Sequence, residues 1–170
     1  VKTIFNDPVF RYVFSTPSKT PFILKEDGTP FYDENYQFQS GKDEIIREGS
    51  AGYVVTFGDC LYRALDAVER ARKNGIDVGL INKPTLNICD DEAMKTIAAT
   101  GFCLVVESFS RTTGLGSRFG TWLLERGHCP RYAHIGTTRE GSGGLWEHVY
   151  HQGIDEKSIL AKIEEMAKST

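Results

Sequence analysis

Residues 53–75 read YVVTFGDCLYRALDAVERARKNG, and this stretch decides the fold class. Tyr53-Val54-Val55-Thr56-Phe57 is β-branched or aromatic at every position, the composition of a strand buried on both faces. Gly58 closes it, and Asp59 stands where a helix cap belongs. Leu61, Ala64, Leu65, Val68 and Ala71 then recur at helical spacing, and Asn74-Gly75 supplies a stop. An apolar strand feeding directly into an amphipathic helix is the repeating unit of a mostly parallel sheet covered on both faces.

The same alternation continues in both directions. Upstream, Asp43 to Glu48 is a short strand ended by Gly49-Ser50. Downstream come a strand over Ile76 to Ile81, a helix capped by Asp90 with Ala93, Met94 and Ile97, and the fully apolar strand Phe102 to Val106. Glu107 to Gly116 is expected as a loop, followed by a helix through Trp122, Leu123 and Leu124 that stops at Gly127. Tyr132 to Ile135 is a last short strand, Leu145, Trp146 and Val149 mark a short helix, and Asp155 caps the final one, with Ile159, Leu160, Ile163 and Met166 as its apolar stripe. The expectation is a three-layer α/β/α sandwich. Residues 1–36 differ: four of the six prolines lie there, and proline at that density blocks regular helix. Val9 to Phe14 could form one strand. The remainder reads as an arm or linker lying across a surface, and the start at Val1 points to a piece of something longer.

Composition narrows the function classes. A chain of 170 residues with 40% hydrophobic and 25% charged residues is sized for one core. A net charge of −3 gives no reason to expect nucleic acid or an anionic membrane as partner, and no apolar run approaches the ~20 residues of a membrane span. Cys60, Cys89, Cys103 and Cys129 form no CxxC pair, which favours buried reduced thiols in a cytoplasmic protein.

Candidate chemistry gathers after the strand Phe102–Val106. Gly114-Leu115-Gly116-Ser117 precedes a helix, where backbone amides attract phosphate. The third glycine, Gly120, stands one position too late for a dinucleotide fingerprint, so glycines that permit tight packing are the favoured reading. Glu107 ends an apolar strand at the edge where such sheets place functional groups; with Ser108, Phe109 and Arg111 it would form a polar crest, or a Glu–Arg pair orienting a loop. His148 and His151 sit three apart on a helix, a spacing that could serve a metal but lacks further ligands, so surface or partner contacts are favoured. Gly141-Ser142-Gly143-Gly144 is a solvated turn or an anion loop. No G-x-S-x-G elbow occurs, and pattern alone supports no reaction.

The order of segments says more. Tyr36-Gln37-Phe38-Gln39-Ser40-Gly41-Lys42, Ile45-Ile46-Arg47-Glu48-Gly49, the strand ending Thr56-Phe57-Gly58 and a helix with Ala64, Ala67 and Ala71 follow one another. Gly75-Ile76-Asp77-Val78, Ile81-Asn82, Pro84-Thr85-Leu86, Asp91-Glu92, Val105-Val106-Glu107, Gly114–Ser117, Ile135-Gly136 and Gly141-Ser142-Gly143 continue the series. Over residues 36–168 this resembles the C-terminal domain of the transketolase-type thiamine-diphosphate enzymes, which include transketolase, 1-deoxyxylulose-5-phosphate synthase and the β subunits of 2-oxoacid dehydrogenase E1. The resemblance implies a mixed five-stranded sheet with its first strand antiparallel. Residues 1–36 would be the tail of a preceding pyrimidine-binding domain plus linker, and residues 37–170 the C-terminal-type domain. Thiamine diphosphate, a divalent Mg or Ca ion and the catalytic glutamate would belong to preceding domains, so this chain would hold no cofactor and act on nothing alone. It would support a homodimer beside the cofactor-binding domains or subunit of the same enzyme. Glu107, Phe109, Arg111, Gly114, Gly116 and Ser117 are the loop or interface candidates. The family often has an acidic residue and a histidine or asparagine where this chain has Ser108 and Phe109, and Arg11 and Lys19 do not match its phosphate-contacting arginine. Two alternatives accompany this reading: an E1 β-type domain that docks an acyltransferase, and a free-standing module binding phosphate at Gly114–Ser117.

Overall fold

The computed structural model describes residues 4, 9–15, 19–141 and 145–168. Among them five strands and five helices run in the order β1 (Glu44–Arg47), β2 (Gly52–Thr56), α1 (Cys60–Lys73), β3 (Val78–Asn82), α2 (Asp91–Ala98), β4 (Phe102–Ser110), α3 (Leu115–Glu125), β5 (Arg131–Thr137), α4 (Leu145–Gln152) and α5 (Glu156–Lys168). The sheet order is β1-β3-β2-β4-β5. β2 pairs in parallel with β3 and β4, β4 with β5, and β1 runs antiparallel to β3.

Side chains alternate across a strand, so each central strand feeds two cores. Val54, Leu80, Leu104 and Val106 face Ala64, Ala67, Val68 and Ala71 of α1 and Ile159, Ile163 and Met166 of α5. Their neighbours Tyr53, Val55, Ile81, Cys103 and Val105 face Met94 and Ile97 of α2 and Leu115, Phe119 and Leu123 of α3. This is why the strands read as unbroken apolar runs while the helices read as amphipathic. The α/β/α sandwich and its antiparallel first strand are as the sequence led us to expect.

Helix ends follow local chemistry. After α1, Gly75 takes φ 87°, its N–H donates to the Arg72 carbonyl, and the Ile76 N–H donates to the Ala71 carbonyl, a double closure that needs the left-handed residue. Asp155 accepts from the Lys157 and Ser158 amides ahead of α5, and Asp90 accepts from the Glu92 amide at α2. Asp59 departs from expectation and makes no side-chain cap. Its carboxylate is drawn instead to Arg63 and Ser108, a charged and a hydroxyl donor within reach.

Three sequence expectations change. β4 continues through Glu107 to Ser110, with a register irregularity between Val106 and Ser110, where a loop was expected. Residues 10–15 form no strand, and Val9, Phe10, Tyr12, Val13 and Phe14 are exposed; extended residues without a neighbouring edge have no ladder to join. The arm is also fastened rather than merely laid on. Ile23 is buried in the α1-side core with Phe31 and Tyr32 against it, and Arg47 donates to the Leu24 carbonyl at 2.9 Å. Of the thiols, Cys60 and Cys103 are buried, Cys89 is half-buried and Cys129 is exposed, all four unpaired.

Candidate functional site at the carboxyl edge of the sheet

Open α/β sheets bind ligands where adjacent strands send their connections in opposite directions. Here that point lies between β2 and β4, beside Phe57 to Asp59 and Glu107 to Phe109. Glu107 is fully buried. Its two carboxylate oxygens accept from the Leu115 N–H at 2.8 Å and the Gly116 N–H at 2.7 Å, the first turn of α3. An anion belongs at a helix N-terminus because the amides and the macrodipole favour it. In this protein the anion is its own side chain.

The glycines fit around that carboxylate. A Cβ on Gly114 would lie 2.1 Å from Glu107 Oε2, and one on Gly116 would lie 2.7 Å from the His134 ring. Both positions require glycine for space, which is the packing reading, and the two amides offered to a phosphate are already occupied. Glu107 and Arg111 do not pair, since Glu107 faces inward and Arg111 is exposed. Ser117 ties the preceding loop by donating toward the Arg111 and Thr112 carbonyls, each at 3.1 Å.

Above this buried layer the crevice is bridged. Ser108 Oγ donates to Asp59 Oδ1 at 2.8 Å. Asp59 Oδ2 accepts from the buried Arg63 guanidinium at 2.9 Å, which also donates to the Ile154 carbonyl and the Tyr62 hydroxyl. Phe109 packs edge-on against Phe57 and against Phe14 of the arm, with ring centroids 5.2 and 5.3 Å apart. The candidate crest is thus split: Glu107 below as a cap, Phe109 above as an aromatic contact, Arg111 and Ser117 on the outer loop.

Two clusters along the same edge were not singled out from sequence. Tyr32 and Tyr36 of the arm both donate to Glu44, and Asn82 donates to Tyr32 Oη and Glu44 Oε2, each at 2.8 Å. Burial and the hydrogen bonds to Glu44 push both phenols above their usual range. Next to them, Lys83 and Asp43 form an ion pair at 2.8 Å with both side chains fully enclosed. A charge directly after the apolar strand Ile81-Asn82 was the visible signal for Lys83, but its partner lies 40 residues back. His151 Nε2 lies 3.1 Å from the Glu140 carbonyl and His148 is half-buried; among the described residues no group of three or more His, Cys, Asp or Glu is placed to hold a metal. Of the glycine turn, Gly141 is exposed and residues 142–144 lie outside the described residues.

Comparison with known proteins follows the same outline. The chain is similar to one of the subunits of the apulose-4-phosphate transketolase of Actinobacillus succinogenes, 26% identical over 147 residues that cover 82% of this chain and 47% of that protein. It is 30% identical over 151 residues to the β subunit of the 2-oxoisovalerate dehydrogenase of Bacillus subtilis, covering 76% and 46%. Among solved structures, a split gene transketolase described as an inactive beta4 tetramer superposes with a TM-score of 0.73 at 21% identity, over 81% of this chain and 45% of that one, a likeness of fold. The chain spans about half the length of the curated relatives it matches. Residues 41–152 match the family model for the transketolase C-terminal domain, and the chain belongs to that family.

Proposed function

We propose that the chain is the C-terminal section of a transketolase-like, thiamine-diphosphate-dependent enzyme that in its complete form transfers a two-carbon ketol unit. The family match over residues 41–152 carries this reading, and the apulose-4-phosphate transketolase relative supports the sugar-phosphate branch. The residues of this chain do not fit the cofactor. A diphosphate held through a metal needs free amides and a set of oxygen ligands; the α3 amides carry Glu107, and no group of three or more His, Cys, Asp or Glu among the described residues is placed to hold a metal. In this reading the cofactor and its Mg or Ca ion sit with the other section of the enzyme, and this section's part is structural.

The exposed Val9, Phe10, Tyr12, Val13 and Phe14 suit contact with the cofactor-binding domains or with a second copy in a homodimer. Four unpaired thiols suit a reducing cytoplasm, and no helix among the described residues is long and apolar enough to cross a membrane. A second reading has its own support in the 30% identity to a dehydrogenase β subunit: this section would then dock an acyltransferase.

The test is reconstitution. Co-expressed with its cofactor-binding section, the chain should support ketol transfer from a ketose phosphate to an aldose phosphate, dependent on thiamine diphosphate and Mg. Branched oxoacid decarboxylation, with capture of a lipoyl-bearing acyltransferase, would replace the first reading by the second. Tight thiamine diphosphate binding to the isolated chain by calorimetry would overturn both.

A further inference from the structure

Asp43 precedes β1, and its side chain is fully enclosed. Oδ1 accepts from Lys83 at 2.8 Å, whereas Oδ2 is buried and finds no hydrogen-bond partner among the described residues. Lys83 also donates to the Ile88 carbonyl at 2.8 Å and lies over the rings of Trp122 and Phe119 in α3, 5.3 and 5.9 Å from their centroids. The backbone joins the same cluster: the Asp43 N–H donates to Asp90 Oδ2 at 2.9 Å and the Gly41 N–H to Thr85 Oγ1 at 3.0 Å. Gly41 takes φ 84°, and a Cβ there would touch Ile88 at 3.0 Å. Residues 41–43 are therefore clipped to the β3–α2 loop and to the Asp90 cap of α2, around one buried charge pair whose Lys83 packs on α3.

The charges facing Asp43 come from every side. Lys83 reaches it from the β3–α2 loop, Asp90 and the Cys89 thiol from the start of α2, and Lys42 and Glu44 from its own segment. Glu44 in turn carries the Tyr32 and Tyr36 phenols, and Trp122 of α3 also lies under the Arg118 guanidinium at 6.0 Å. Lys42 is half in solvent and already held by Asp90 at 3.2 Å. A carboxylate stripped of water, with one oxygen unpartnered and two more carboxylates beside it, holds its charge poorly even next to an ammonium.

We propose that Asp43 is a proton-binding latch: a proton taken up onto the enclosed, unpartnered Oδ2 tightens the clip that holds the Gly41–Asp43 segment to the sheet edge, while Oδ1 keeps the Lys83 bond. The Asp43 carboxyl is pushed up to about 6, chiefly by burial, with Lys83 opposing and Asp90 and Glu44 adding to the rise. The sign is the reverse of an ordinary acidic ion pair. The closed state binds the proton more tightly than the opened one, so the added closure is fully present below 3.8, fades as pH rises through about 6, and is gone above it.

Carboxyl-detected NMR on the 170-residue chain, with hydrogen exchange at Gly41 and Asp43, tests this. Asp43 should titrate near pH 6. Protection of the two amides, with intrinsic exchange chemistry divided out, should rise about tenfold from pH 7.5 to pH 5, while Val54 and Val105 in the central strands stay flat. In Asp43→Asn the rise should vanish. An Asp43 midpoint close to 3.8, or protection that is level or falls on acidification, overturns the proposal from the unmodified protein alone, whether or not the variant folds.

Discussion

Gly114→Ala perturbs the α3 cap at one atom. Gly114 has φ −80° and ψ −165°, a conformation open to any residue, so the substitution introduces no backbone strain. What it introduces is a methyl 2.1 Å from Glu107 Oε2, 2.5 Å from Cδ and 2.6 Å from Oε1. The carboxylate must move, and being fully buried it has no solvent to move into. Each of its two bonds to the α3 amides is a charge-assisted one, about 1.5–3 kcal/mol when lost. Leaving the charge buried without partners costs about 3–5 kcal/mol. The two figures describe the same event and do not add, so the expected loss is about 3–5 kcal/mol. At ~2–4 °C per kcal/mol for a chain of this size, the Tm should fall by roughly 6–20 °C. Urea denaturation followed by far-ultraviolet circular dichroism measures it, with Gly141→Ala as the control, because a Cβ there meets nothing within 4 Å. Glu107→Gln, which keeps one acceptor and turns a donor toward the second amide, should lose about 2 kcal/mol. A Gly114→Ala loss under about 1 kcal/mol, the size of an ordinary substitution, would refute the claim that Glu107 is clamped.

Other outcomes follow from the same geometry. Thiol labelling of the native chain should modify Cys129 fast and Cys89 slowly, while Cys60, pushed up to about 12 by burial, and Cys103, raised by burial alone, react only on unfolding. Arg63→Met removes the link from Asp59 to the Ile154 carbonyl and leaves that carbonyl and Asp59 Oδ2 unmatched; a loss of about 3 kcal/mol in urea is expected, and under about 1 would show that the buried guanidinium is dispensable. Replacing the Lys83–Asp43 pair together by Met and Leu should be neutral or stabilising at pH 7.5, by up to about 3 kcal/mol, and a thermal melt showing a large loss would contradict the dominance of burial over pairing there.

The sandwich was legible because its signals are local. Tyr53–Phe57 and Phe102–Val106 are apolar throughout since helices cover both faces, and Gly75 and Gly127 mark helix ends through a conformation that one residue suffices to specify. The site was legible only in position. Glu107 and the Gly114–Ser117 loop stood out, but that the carboxylate fills the α3 amides depends on β4 and α3 being brought face to face. The Glu107–Arg111 pair, one of two readings of this crest, does not form, because Glu107 is buried in β4 while Arg111 lies exposed just beyond its end. Val9–Phe14 shows the limit of β propensity, which describes fitness for a sheet surface and not the presence of a neighbour. Lys83 with Asp43, Tyr32 and Tyr36 with Glu44, and Arg63 with Ile154 join segments between 8 and 91 residues apart, and no periodicity encodes such meetings.

The arm carries a consequence for how such a polypeptide can be divided. Composition draws its line near residue 36, yet a chain cut there would lose Ile23 from the interior, two phenols from Glu44 and the carbonyl that receives Arg47. The remainder would keep β1 to β5 and α1 to α5 and still begin with a vacancy in its core and a buried guanidinium short of one acceptor. A division into separately made halves that keeps these contacts in the second half falls upstream of Ile23, so the length of arm between Ile23 and Tyr36 travels with the sheet it closes.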